Sequence, residues 1–322
     1  MTTPPRGRRL DGARQRAEAP AWPAPGAGPW RVVIVTRILP VALGLHGLLQ
    51  EVGHEPVALL TVRDPARRYG PFDLGGVLDG VPEELDVLLP ASRASLPALL
   101  AAARPDLVVC TGFPWKIPPA ALAVPPLGWL NGHPSLLPRH RGPVPVAWAI
   151  RNGEEEIGLT VHRMDAGLDT GPILAQRTMP LGELCEPDDF YPRMGPLHLD
   201  AFREALEKVA AGEPGTPQDP AAGEYESFFA DEDADLDLAR PAVEVHRLVW
   251  AWRYTIAKDT RRGALLELDG ETVRVLASSL TEVEGAPRVQ CADGPLWLVR
   301  TEPAEAFQAV AGAGADSTGP SA

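Results

Sequence analysis

The sequence predicts an α/β protein in which a mostly parallel sheet covered by helices is followed by a small β-rich unit. Three observations point there. Aliphatic or β-branched runs alternate with segments of helical apolar spacing from Arg31 to Ala211. A Pro/Gly-rich stretch at 212–223 interrupts them, and short strand-like runs punctuated by Asp-Gly pairs come after it.

In chain order, Arg31 to Thr36 reads as a first strand, Val41 to Val52 as a helix and Pro56 to Val62 as a second strand, a βαβ opening. Ser95 to Ala103, rich in Ala and Leu, reads as a helix. Asp106 to Cys110 reads as a short strand buried on both faces, and Leu127 to Leu130 as the next one. Val146 to Arg151 reads as a helix end closed by Asn152-Gly153, and Ile157 to Met164 and Ile173 to Met179 as strands joined by a long loop. Leu199 to Ala211 is an amphipathic helix. Further on, a helix over Ala242 to Trp252 precedes strands at Leu265 to Leu268, Thr272 to Ala277, Arg288 to Cys291 and Leu296 to Arg300, with turns at Asp269-Gly270 and Asp293-Gly294. The organisation that results is a disordered tail at 1–29, a first domain at 30–211, a linker at 212–223, a second domain at 224–308 and a disordered tail at 309–322.

Composition narrows the function classes. The chain has 322 residues, 45% apolar and 23% charged, enough for one or two sizeable cores. Its formal charge is −13, and residues 211–322 hold 20 acidic against 9 basic residues, which speaks against a general nucleic-acid coat protein. No run approaches the roughly 18 consecutive apolar residues of a membrane span. Residues 1–29 contain six prolines and five arginines but no apolar stretch after Arg8-Arg9, so no secretory or twin-arginine signal is read there. Cys110, Cys185 and Cys291 are odd in number, far apart and free of a C-x-x-C, which fits neither a disulfide framework nor a zinc site and points to a reducing cytoplasm.

The chemistry gathers after the middle strands. Thr36-Arg37-Ile38-Leu39-Pro40 follows the first strand with no G-x-G-x-x-G or Walker glycines, so neither a nicotinamide nor a nucleoside triphosphate site is signalled. Asn131 and His133, two apart at a strand end, project on one face, so an amide and an imidazole share a crevice. The imidazole exchanges a proton near neutrality, and the amide donates to a developing oxyanion. Asp169, in the loop Asp165-Ala166-Gly167-Leu168-Asp169-Thr170-Gly171-Pro172, would complete the set by holding the imidazole charged or relaying a proton, with Asp165 as the competing carboxylate. His133, His140 and His162, separated by seven and twenty-two residues, match no common zinc spacing, and no metal is expected. Ser135 lacks the G-x-S-x-G setting of a serine hydrolase.

Asn131-Gly132-His133-Pro134-Ser135-Leu136-Leu137-Pro138-Arg139-His140-Arg141-Gly142, then Asn152-Gly153-Glu154, Gly158-Leu159-Thr160 and Gly167-Leu168-Asp169-Thr170-Gly171, strongly resemble the folate-dependent formyltransferases. That family includes enzymes acting on methionyl-tRNA, glycinamide ribonucleotide and amino sugar nucleotides. The resemblance covers roughly residues 30 to 305, is weakest over Arg63 to Ser95, and takes in Gln218, Asp235-Leu236-Asp237, Ala242 to Arg247 and Cys291-Ala292-Asp293-Gly294. It implies a Rossmann-like formyltransferase fold with a small OB-like, barrel-like C-terminal domain, 10-formyltetrahydrofolate as co-substrate, and Asn131, His133 and Asp169 as the catalytic set. The family's folate pocket carries over to Phe113, Trp115, Lys116 and Ile117 and, in the loop before Asp169, to Asp165 and Gly167. Gly132 departs from the family pattern, in which an apolar residue is usual there; the glycine would either admit a ligand to the backbone or loosen the strand end.

The acceptor implied is a primary amine. The acidic second half favours a small amino metabolite, an amino sugar nucleotide or amino acid, over methionyl-tRNA, because tRNA phosphates recruit Lys and Arg. Methionyl-tRNA is the alternative, for which Arg63 to Arg68 resembles a remnant of a basic loop. A noncatalytic folate-binding module is a further alternative, and it has no need of all three catalytic residues. Thr36, Arg37 and Arg141 are positional candidates for acceptor contacts.

Overall fold

The computed structural model describes residues 28–63, 74–255 and 263–304. The tail readings for 1–27 and 309–322, and residues 64–68 of the basic stretch, lie outside them. The first unit runs β1 (Arg31–Val35), α1 (Leu39–Glu51), β2 (Glu55–Leu60), α2 (Leu74–Gly80), β3 (Asp86–Leu88), α3 (Leu96–Ala103), β4 (Leu107–Thr111), α4 (Pro119–Leu122), β5 (Trp129–His133), α5 (Pro145–Asn152), β6 (Glu156–Arg163), β7 (Ile173–Pro180), α6 (Pro187–Phe190) and α7 (Gly195–Ala210). Then come α8 (Ala242–Arg253), β8 (Ala264–Leu268), β9 (Glu271–Ser279), β10 (Arg288–Gln290) and β11 (Pro295–Pro303).

The first sheet has the order β3-β2-β1-β4-β5-β6-β7. Its first five strands are parallel, whereas β6 and β7 run antiparallel to their neighbours. Strand order reverses between β1 and β4, the position at which an open α/β sheet leaves a crevice. Val32, Ile34, Leu107, Val109, Leu130 and Val161 face α1 and α7, while Val33, Val35, Val108, Cys110 and Trp129 share the opposite core with Leu96 and Leu100 of α3. Burial on both faces is why these strands are continuous Val/Ile/Leu runs.

Two local differences from the sequence reading have physical causes. No element is read between Val62 and Ser95, yet α2 and β3 lie there; at seven and three residues they are too short to display a period. The strand read at Leu127 begins instead at Trp129. Pro125 and Pro126 offer no N–H to a ladder, and the Gly128 N–H closes a turn on the Pro125 carbonyl at 2.9 Å. β5 therefore extends through His133 and carries Asn131 within the strand.

The second sheet is antiparallel, in the order β10-β11-β9-β8, with α8 packed on it. Its core is continuous with the first unit. Val144, Ile150, Ile157 and Phe190 cluster with Val245, Val249, Leu296 and Leu298. No described helix is long and apolar enough to cross a membrane.

Gly132 is explained by packing. A Cβ there would stand 2.8 Å from Cε2 of Phe202, a fully buried ring on α7, so the missing side chain seats that helix against β5. Phe202→Ala is expected to lose about 3–5 kcal/mol of stability, read as a shift in the midpoint of chemical denaturation.

Candidate active site

Asn131 and His133 project from the sheet face that Trp129 shares with α3, opposite Leu130 and Gly132. Antiparallel pairing sets Asn131 directly beside His162 of β6. The His162 Nδ1–H donates to the Arg163 carbonyl at 2.9 Å, and Nε2 stands 3.2 Å from the Asn131 amide nitrogen. That contact orients the amide. An amide N–H is held loosely, 3.4 Å from Asp169 Oδ1. Sequence reasoning placed His162 only among rejected metal ligands. The signal that could have found it is the strand register, which a single sequence does not display.

The loop between β6 and β7 distinguishes its two carboxylates. Asp165 Oδ1 accepts from the Gly167 N–H at 2.9 Å and the Thr170 hydroxyl at 2.7 Å, an Asx turn that shapes the loop. Asp169 instead faces the imidazoles. Its Oδ2 lies 3.7 Å from His133 Nδ1 and accepts the Gly142 N–H at 3.1 Å, and its Oδ1 lies 3.7 Å from His162 Nε2. Burial alone would raise its pKa, but His133, His162 and the Gly142 N–H together hold the carboxyl well below the usual carboxylate range, so it is ionised.

His133 is buried, and its Nε2 lies 2.8 Å from the His140 carbonyl oxygen. A carbonyl only accepts, so Nε2 carries a proton and Nδ1 is the nitrogen turned to Asp169. Burial lowers the ring's proton affinity below that of an ordinary imidazole, and the Asp169 charge offsets only part of that effect.

The stretch read as a linker is tied across this site. Thr216 and Ile173 exchange backbone hydrogen bonds at 2.7 and 2.8 Å, and Arg163 Nη2 donates to the Glu213 carbonyl at 2.9 Å. The Gln218 amide donates to the carbonyls of Asp169 at 2.9 Å and Gly171 at 2.7 Å. Its own oxygen accepts from Arg141 Nε and Nη2 at 3.1 and 2.8 Å, while Arg141 Nη1 donates to the Gly223 carbonyl at 3.2 Å. The Arg141 guanidinium therefore faces the connecting segment.

The remaining sequence candidates lie around the same end of the sheet. Thr36 is buried, and its hydroxyl accepts the Ile38 N–H at 3.1 Å. Arg37 is near enough to influence the Tyr191 phenol electrostatically. Phe113 and Trp115 meet edge to face with centroids 5.6 Å apart; Lys116 is exposed, and Ile117 is turned into the core. Among the described residues no group of three or more His, Cys, Asp or Glu is arranged to hold a metal ion.

Removing the charge opposite His133 should be visible directly. Asp169→Asn is expected to lower the His133 pKa further, because the attraction of the Asp169 carboxylate for the charged ring is lost. A histidine NMR titration of the two proteins would show it, and an unchanged or raised value would contradict the geometry described.

A family model described as formyl transferase matches residues 91–205. Methionyl-tRNA formyltransferase of Pseudomonas fluorescens (strain SBW25) is 38% identical over 240 residues, covering 73% of this chain and 74% of the relative. The protein of that name from Roseiflexus sp. (strain RS-1) is 35% identical over 284 residues, 83% of each chain. Among solved structures, HypX from Aquifex aeolicus superposes with a TM-score of 0.61 at 20% identity, covering 87% of this chain and 48% of HypX. WlaRD, a sugar 3N-formyl transferase, gives 0.60 at 15% identity over 85% of this chain and 98% of its own. These structural likenesses speak to the fold. A 284-residue alignment is longer than either unit of this protein, so the sequence relationship extends over both, and the chain belongs to the folate-dependent formyltransferase family of formyl-transferring enzymes.

Proposed function

We propose that the protein transfers the formyl group of 10-formyltetrahydrofolate to the primary amine of a small metabolite, an amino sugar nucleotide or an amino acid. The observation that carries the acceptor class is the pairing of cations in the C-terminal unit. Of six described arginines between 224 and 304, Arg240 is paired with Glu244, Arg274 with Glu302, and both Arg253 and Arg300 with Glu186. With a net charge of −11 over residues 211–322, these pairs leave little positive charge for a phosphate backbone.

In this reading the neutral amine attacks the formyl carbon, and the carbonyl oxygen becomes an oxyanion. The loosely held Asn131 N–H turns to that oxygen, joined by protonated His133 Nδ1. Loss of one such donor costs on the order of 3 kcal/mol of barrier in other enzymes. Asp169 raises the proton affinity of His133 and, through water, carries a proton from the attacking amine to N10 of the folate as the carbon–N10 bond breaks. The products are a formamide and tetrahydrofolate, with no covalent enzyme intermediate. Phe113, Trp115 and Lys116, with the loop at Asp165 and Gly167, are assigned to the folate, with Ile117 supporting the aromatic pair from the core. Thr36 and Arg37 are assigned to the acceptor side. Three free cysteines, Cys110, Cys185 and Cys291, accord with a cytoplasmic setting.

A second reading, methionyl-tRNA as acceptor, is favoured by the names of relatives 35–38% identical to this chain. Purified protein incubated with 10-formyltetrahydrofolate and either methionyl-tRNA or a panel of amino sugar nucleotides and amino acids separates the two by mass spectrometry of the products. Formylation confined to small amines is expected, and efficient formylation of methionyl-tRNA would replace that reading. His133→Ala and Asp169→Ala are each expected to reduce transfer by at least about tenfold with circular dichroism unchanged. Near-native turnover in both would sink the mechanism.

A further inference from the structure

His140 lies outside the reacting set, but its surroundings are built around it. The side chain is 8% exposed. Nδ1 stands 2.7 Å from Glu226 Oε2, on the segment that leaves the connecting strap, and Nε2 stands 3.2 Å from Glu154 Oε1, between α5 and β6. Both nitrogens face carboxylates, so both carry protons and the ring is a cation bridging two parts of the chain. Arg139 shares Glu154, which leaves two positive and two negative side chains in the cluster. The backbone of His140 is left-handed, with φ of 57°, unusual for a residue with a side chain. In that conformation its carbonyl points at His133 Nε2, 2.8 Å away.

We propose that His140 is a positioning residue: its ring, clamped between Glu154 and Glu226, holds the carbonyl that keeps one His133 proton on Nε2, so that the proton offered in the reaction is the one taken up on Nδ1. This role rests on His133 acting in formyl transfer as proposed. Asp169 alone would draw the single proton of a neutral His133 onto Nδ1, the side it faces. The carbonyl supplies the opposing preference, and only a carbonyl held on the Nε2 side can do so. The backbone N–H of Glu226 donates to the Arg141 carbonyl at 2.8 Å, so the strap grips the peptide next to His140 as well as its ring.

The cluster also fixes the sense of a pH effect. Burial works against the His140 charge, but the two glutamates outweigh it and raise the pKa above the ordinary imidazole value. The clamp is therefore complete below the ordinary imidazole value and is lost as pH rises through the raised one.

The test uses the full chain labelled with nitrogen-15 histidine, with the His133 signals assigned by their loss in His133→Gln. His140→Phe keeps a ring of similar size without the two N–H donors. It is expected to fold cooperatively, to shift the His133 signals from the Nε2–H pattern towards the Nδ1–H pattern, and to lower kcat about tenfold with KM for the folate within about threefold. Glu226→Gln is the milder probe, expected to move the alkaline fall in kcat to lower pH. An unshifted His133 tautomer in folded His140→Phe overturns the proposal, even where kcat falls. If His140→Phe does not fold, an alkaline limb unmoved by Glu226→Gln overturns it. Absence of formyl transfer by the wild-type protein would instead sink the proposed reaction, and the tautomer shift would still decide the clamp.

Discussion

The Asp169 carboxylate is ionised and has only 17% of its side chain exposed, and the surrounding chain is arranged around that constraint. Withdrawing such a group from water costs several kcal/mol unless partners replace its hydration. The partners come from separate places: the Gly142 N–H after β5, Asn131 and His133 on β5, and His162 on β6. Asp169 itself has a left-handed backbone, with φ of 56°, which aims its side chain inward from the loop. Gly142 shows how tight the arrangement is. Its φ is 128°, and a Cβ would stand 2.0 Å from the Glu226 carbonyl oxygen, so a side chain would separate the strap from the peptide that binds Asp169.

The connection between the two units belongs to the same construction. Gln218 satisfies two carbonyls of the Asp169 loop with its amide and uses its oxygen to receive Arg141, so one side chain couples the loop after β5 to the loop between β6 and β7. Pairing of Thr216 with Ile173 extends the attachment to the start of β7. Below this strap, α5 and α8 share an apolar core, which resists rotation of the second unit. A displacement of that unit would be felt at Asp169 through Gln218 and at His133 through Glu226 and His140.

Much of the fold is legible because buried strands and amphipathic helices have periods. Asn131 and His133 are legible for a related reason: residues two apart on a strand share a face wherever the strand begins, so the error over the start of β5 left their juxtaposition intact. Asp165 and Asp169 are alike in composition and position and differ only in which atoms they meet. That difference depends on the Asx turn closing on Thr170. His162 depends on an antiparallel register, and His140 on a backbone carbonyl, which carries no residue-type signature at all. Gln218 lies in a segment whose prolines and glycines read as a spacer; the composition reports the lack of regular structure correctly and says nothing of attachment.

The same distinction between composition and placement governs the electrostatics. Net negative charge alone leaves room for a local basic face, so the relevant question is where the arginines of the second unit point. Glu186 receives Arg253 at 2.6 Å and Arg300 at 2.7 Å, one carboxylate neutralising cations from a helix and a strand. Burial would raise the Glu186 pKa, but the two arginines outweigh it and lower the value, so the carboxylate is charged at neutral pH. A phosphate backbone docking here would have to displace a carboxylate from two guanidinium groups and then lie against further acid, losing much of the counterion release that drives such binding. A small amine makes no such demand. It needs a route to Nδ1 of His133 and the amide of Asn131, both held at the crevice by interactions within the protein, and that asymmetry is the physical reason for preferring it.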